Sequence, residues 1–107
     1  MIDVKALAER IYLNKVKNRF PTDDLEHDLK LLRKEAQEAI DASDDVELGR
    51  ELADVVIFAI GIARMRNIDL TEQVYNKVSY NETREYKKET FRLPESDLDD
   101  KRAEISD

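Results

Sequence analysis

Residues 24–65 read DLEHDLKLLRKEAQEAIDASDDVELGRELADVVIFAIGIARM, and this stretch decides the fold. Leu25, Leu29, Leu32, Ala36, Ala39 and Ile40 recur at helical spacing and predict a helix over about 24–42. Thr22, Asp23 and Asp24 offer N-cap oxygens, and Glu26 stands in a capping-box relation to Asp23. Ser43-Asp44-Asp45 makes a short polar turn. Leu48, Leu52, Val55, Val56, Ala59 and Ile62 then predict a second helix over about 46–65. From Val55 to Ile62 it is apolar nearly all round, so it is expected to be the most buried helix, with Gly61 allowing close packing. A turn this short makes the two helices antiparallel neighbours.

Working outward, Asp3 is a plausible N-cap for a helix over about 3–19, whose apolar face is Val4, Leu7, Ala8, Ile11 and Tyr12. Phe20-Pro21 is expected to end it, because the residue before proline is pushed out of the α region. A fourth helix is expected from Leu70 to about Glu89, capped by Asp69, with Val74, Val78 and Tyr86 inward. The acidic segment 93–107 is expected to be a disordered tail, leaving 1–92 as one helical domain. There is no internal repeat.

Composition agrees. The chain has 107 residues, 40% of them charged, with two Gly, two Pro and no Trp. That profile is helical and lacks the turn residues of a β-sandwich or barrel. A chain this short buries a modest core alone, so a homo-oligomer sharing its core is expected, either a homodimer or a dimer-of-dimers tetramer. The net charge of −7 argues against nucleic-acid binding as the main role. With no Cys there is no disulfide, thiolate metal site or cysteine nucleophile. The apolar run 55–63 is about half of what a bilayer span needs, and Met1-Ile2-Asp3 does not open a signal peptide. A cytoplasmic protein with no membrane partner is expected.

Two carboxylate pairs carry the chemistry. Glu35 and Glu38 lie three apart on the second helix, and Glu51 and Asp54 three apart on the third. Residues three apart differ by about 60° in projection, so each pair points to one side. Both pairs abut their helix's apolar stripe, where four carboxylates would repel one another and lose hydration. A hard cation such as Mg²⁺ or Mn²⁺ would resolve that cost and could polarise a phosphoryl oxygen. A solvated acidic face is the competing explanation, since highly charged helices produce Glu-x-x-Glu by chance.

Glu35-Ala36-Gln37-Glu38, twelve residues, then Glu51-Leu52-Ala53-Asp54 resembles the Glu-x-x-Glu … Glu-x-x-Asp signature of the MazG-like all-α nucleoside triphosphate pyrophosphohydrolases. Lys77, Asn81, Arg84 and Tyr86 resemble that family's Lys-x-x-x-Asn-x-x-Arg-x-Tyr segment, so the likeness spans about Val4 to Tyr86. The resemblance implies a Mg²⁺-dependent hydrolase that cleaves an NTP or dNTP between the α and β phosphates, giving the monophosphate and pyrophosphate. It implies metal ligation by Glu35, Glu38, Glu51 and Asp54, with Glu38 also orienting or deprotonating the attacking water. It implies phosphate contacts from Lys77 and Arg84 and a nucleotide contact from Asn81. Lys34 stands where many members carry a further Glu, and Gln37 where many have Gly.

Substrate selection is expected near the first helix and the loop after it, at Tyr12, Asn14, Lys15, Phe20 and His27. The more ordinary roles for these residues are packing for Tyr12 and Phe20, and an exposed first-turn position for His27. The function expected is house-cleaning of the nucleotide pool, with the fourth helix closing over the triphosphate. The rivals are a non-catalytic dimerisation or regulatory module and a nucleotide sensor.

Overall fold

A computed structural model describes residues 1–85; the expected tail at 93–107, the domain boundary before it and Tyr86 lie outside the described residues, while the last helix ends at Thr83 and residues 84 and 85 are not helical, short of the expected end near Glu89. Four helices follow in order: α1 (Val4–Lys17), α2 (Leu25–Ile40), α3 (Asp45–Met65) and α4 (Leu70–Thr83). No strand occurs among the described residues. The chain divides into two compact units, Met1–Tyr75 and Asn76–Asp107.

Each helix starts on an aspartate that shields an otherwise unpaired amide. Asp3 accepts from the Ala6 amide at 3.0 Å, Asp24 from His27 at 3.0 Å, Asp44 from Glu47 at 2.8 Å and Asp69 from Glu72 at 3.1 Å. At α2 the cap is therefore Asp24, one residue beyond the capping-box position at Asp23. At α3, Glu47 reaches back to the Ser43 amide and hydroxyl at 3.3 and 2.8 Å, which ties the α2–α3 turn to the helix it precedes. α1 stops at Lys17, before Phe20-Pro21. Arg19 adopts φ 59° there, and the Phe20 amide donates back to the Lys15 carbonyl at 2.9 Å. Asn67 plays the same part after α3, at φ 55°. Both are left-handed helix terminators.

Within the first unit α3 is central, packing along α2 and across α1. Ile60 (1% exposed) and Ala63 are the buried hydrophobic side chains, and Gly61 is buried with them. The expectation for Gly61 is met: a Cβ there would come within 3.4 Å of Ile11 Cγ2, so α1 crosses α3 at this point. As expected, α3 is the most buried of the four helices, although Val56 and Ile57 of its apolar stretch are exposed. Within the first unit the helices packed on α3 are α2 and α1. Leu13, Leu29, Ile40 and Leu52 are exposed as well, a large apolar surface beside so small a core.

Candidate functional site

The antiparallel packing of α2 on α3 brings three of the four expected carboxylates together. Glu35, Glu38 and Glu51 each offer an oxygen, and these oxygens all lie within 4.8 Å of one another. None of the three is fully exposed. Oε2 of Glu35 and Oε2 of Glu51 are shut off from solvent, with no hydrogen-bond donor in reach. Buried carboxylate oxygens without donors are costly, and clustering them compounds the cost.

In the absence of a cation the cluster lowers that cost by holding a proton. A hydrogen bond to Glu38 pushes the Glu35 carboxyl up to about 7, helped by burial and by the Glu38 and Asp54 charges. Glu38 moves the other way, held below the usual carboxylate range by accepting from Glu35 and Glu51. Burial raises Glu51, with the hydrogen bond to Glu38 adding to the effect. Proton sharing of this kind belongs to the group of carboxyls and not to one residue. Asp54 is outside the set of three, and its charge acts on both Glu35 and Glu51.

The donor set fits a hard divalent cation. It is all oxygen and densely anionic, and it holds two buried lone-pair sites with nothing to satisfy them. An acidic face fully bathed in water would leave no oxygen in that state.

The remaining candidates lie on α1, the first turn of α2, and α4 with the segment after it. Lys77 and Asn81 are exposed on α4, and Arg84 follows the helix. Lys77 Nζ and the Arg84 guanidinium both lie near the Tyr80 ring, at 5.3 and 5.4 Å from its centroid. Tyr12 carries the Arg64 guanidinium over its ring at 4.2 Å, and Arg64 Nε also donates to Glu9 at 2.7 Å, so one face of Tyr12 is already covered. His27 lies in the exposed first turn of α2, but it is not isolated: its Nδ1 is 3.2 Å from Asp28 Oδ1.

Asp28 is what sequence reasoning missed. It is 2% exposed, and its second oxygen is ion-paired with Lys15 of α1. The available signal was position: Asp28 precedes Glu35 by seven residues, two turns earlier on the same stripe. Asn14, Lys15 and Phe20 line a pocket of about 680 Å³ between α1 and α3. A larger cavity, about 1060 Å³, runs from the start of α1 to the α3–α4 turn and includes none of the clustered carboxylates.

A family model described as phosphoribosyl-ATP pyrophosphohydrolase matches residues 4–93. The match covers most of the chain, which therefore belongs to that family, a MazG-like all-α group of pyrophosphohydrolases. Neither the curated proteins nor the solved structures give a significant match.

Proposed function

We propose, from that membership, that this pyrophosphohydrolase acts on phosphoribosyl-ATP, the substrate in the family's description, releasing pyrophosphate and leaving phosphoribosyl-AMP. The observation that carries the reading is the group of three carboxylates with two buried, donor-free oxygens. Glu35, Glu38 and Glu51 would hold Mg²⁺ or Mn²⁺, with Asp54 adding negative charge or a fourth oxygen. A divalent cation bound there supplies Lewis-acid polarisation of the phosphoryl oxygens.

Glu38 orients the water that attacks the α phosphorus. It is the carboxylate in the group that most resists protonation, so it stays an acceptor at neutral pH. The new P–O bond forms as the bond to the bridging oxygen breaks, and pyrophosphate leaves with the electron pair. Lys77 and Arg84 offset the charge that accumulates on the leaving group, and Asn81 contacts the nucleotide, as the resemblance to the Lys-x-x-x-Asn-x-x-Arg segment implies. The exposed apolar side chains of α2 and α3 support assembly into a homodimer or a dimer of dimers. No helix among the described residues is long and apolar enough to cross a membrane.

The test is pyrophosphate release from phosphoribosyl-ATP and from a panel of canonical and modified NTPs and dNTPs, with and without Mg²⁺, for wild type and Glu51→Gln. The reading expects Mg²⁺-dependent release from phosphoribosyl-ATP that is lost in the variant. Release from plain NTPs or dNTPs alone would replace it with the house-cleaning reading. No release from any of them, by folded protein, would overturn it and leave a sensor or interaction module.

A further inference from the structure

The pocket of about 680 Å³ between α1 and α3 lies within the range of small-molecule sites, and its chemistry is unlike the rest of the chain. The protein carries a net charge of −7, yet Arg10, Lys15 and Lys17 line this pocket and no carboxylate does. The rest of its lining is mostly apolar and includes two aromatic rings, Phe20 from the segment after α1 and Phe58 from α3. Lys15 is matched by Asp28. Arg10 and Lys17 are exposed and take part in no ion pair among the described residues.

The pocket is also in line with the carboxylates. Phe58 follows Glu51 by seven residues, and Gly61 follows Asp54 by seven. Seven residues are nearly two whole turns, so the stripe of α3 that carries the acids becomes the pocket wall about 10 Å further along the axis. On α1, Arg10, Asn14 and Lys17 have the i, i+4, i+7 spacing of one helix face. Asn14 Oδ1 accepts from Asn18 at 3.0 Å, which leaves its amide hydrogens as donors.

We infer that this pocket binds the base and distal phosphate of the substrate, with Phe20 and Phe58 flanking the base and Arg10 and Lys17 receiving a phosphate beyond it. The inference rests on the phosphoribosyl-ATP reading and sharpens it. A plain nucleoside triphosphate ends in a neutral base and gives these two cations nothing to bind. A base that bears a phosphoribosyl group carries a second dianion on the side away from the triphosphate. Arg10 can take a phosphate through two parallel N–H bonds and Lys17 adds a point charge. The pocket therefore distinguishes a substrate with anions at both ends from one with an anion at one end.

The experiment compares wild type, Arg10→Gln, Lys17→Gln and the double variant. It measures kcat and KM for phosphoribosyl-ATP and for ATP, and it titrates ribose 5-phosphate calorimetrically. The expected result is a rise of about 10- to 100-fold in KM for phosphoribosyl-ATP in the double variant, with kcat within about twofold. The ratio of kcat/KM for phosphoribosyl-ATP over ATP falls by the same factor, and ribose 5-phosphate binds wild type but not the double variant. A double variant that keeps the wild-type ratio, or still binds ribose 5-phosphate, overturns this inference alone. A wild type that hydrolyses plain NTPs and not phosphoribosyl-ATP overturns the substrate reading and this inference together.

Discussion

Replacing Asp28 by Asn should be among the most damaging single changes available in the first unit. Asp28 and Lys15 form an ion pair with side chains only 3% and 15% exposed, and it joins α2 to α1. Asparagine keeps the volume and one acceptor but removes the charge, leaving the Lys15 ammonium covered and unmatched. Removing one partner of a buried pair costs about 3–5 kcal/mol. Lys15 keeps a little contact with water, so the lower end applies, about 3 kcal/mol. That is a large share of the roughly 5–15 kcal/mol of a typical domain, and this chain's core is small. At a urea m-value of about 1–3 kcal/mol/M the midpoint should fall by about 1–3 M with m unchanged. The assay is urea unfolding followed by far-UV circular dichroism at one fixed protomer concentration, since assembly would contribute to apparent stability. Two comparisons sharpen it. Glu26→Gln breaks the exposed Lys30–Glu26 pair, whose side chains are 63% and 80% exposed, and should cost no more than about 0.5 kcal/mol. The double change Lys15→Met with Asp28→Leu removes both charges together and should recover most of the loss. A loss for Asp28→Asn no larger than that for Glu26→Gln, or a double variant no better than the single one, would refute the reasoning.

The carboxylate cluster predicts an unusual pH dependence in metal-free protein. The Glu35 carboxyl rises from 4.5 to about 7 on folding, so its contribution is fully present below about pH 4.5 and is lost as pH climbs through 7. Glu38, shifted down, has the opposite sign: its contribution is present above its ordinary value and is lost as pH falls through its folded value. Melting temperatures measured in EDTA should therefore decline between about pH 4.5 and 7, and Glu35→Gln should flatten that decline; an unchanged slope in the variant sinks the idea. At the end of α1, Arg19 sits at φ 59°, where a Cβ costs about 1–2 kcal/mol, so Arg19→Gly should stabilise by up to about 1 kcal/mol once the added freedom of the unfolded chain is subtracted. Thermal melts would contradict this if the glycine variant were less stable than Arg19→Ala.

Helix periodicity made the architecture legible because it depends on local spacing. The α2 and α3 stripes, the short turn at Ser43 to Asp45 and the aspartate caps follow from backbone needs that nearby residues satisfy. The pairing of Glu35 and Glu38 with Glu51 was legible for the same reason, since a short turn between two helices leaves little choice in how they pack. The burial of Asp28 was not legible, although its spacing from Glu35 places it on the same stripe. In a sequence that is 40% charged, an aspartate in a first turn reads as a favourable N-terminal charge. Its burial depends on Lys15, thirteen residues earlier, and on how α1 crosses α3 at Gly61, which local spacing does not encode. The exposure of Val56 and Ile57 was hidden in a related way. Periodicity reports that a face is apolar, and it does not report whether the same chain or another covers it.

The same heptad step explains why the site has a direction. Along α2 the stripe runs from Asp28 to Glu35, and along α3 it runs from Phe58 back to Glu51. Because the helices are antiparallel, Asp28 and Phe58 fall at one end of the groove and the clustered carboxylates at the other. The buried charge at the first end is neutralised within the fold by Lys15. At the second end Glu35 and Glu51 keep buried oxygens with no donor, so neutralisation must come from a shared proton or from a cation. A proton satisfies one oxygen pair and leaves the group anionic, whereas a divalent cation satisfies several oxygens at once and still attracts a phosphate. A fold that neutralises one buried carboxylate internally and leaves two buried carboxylate oxygens without a donor at the other end is the arrangement that the proposed cation site requires.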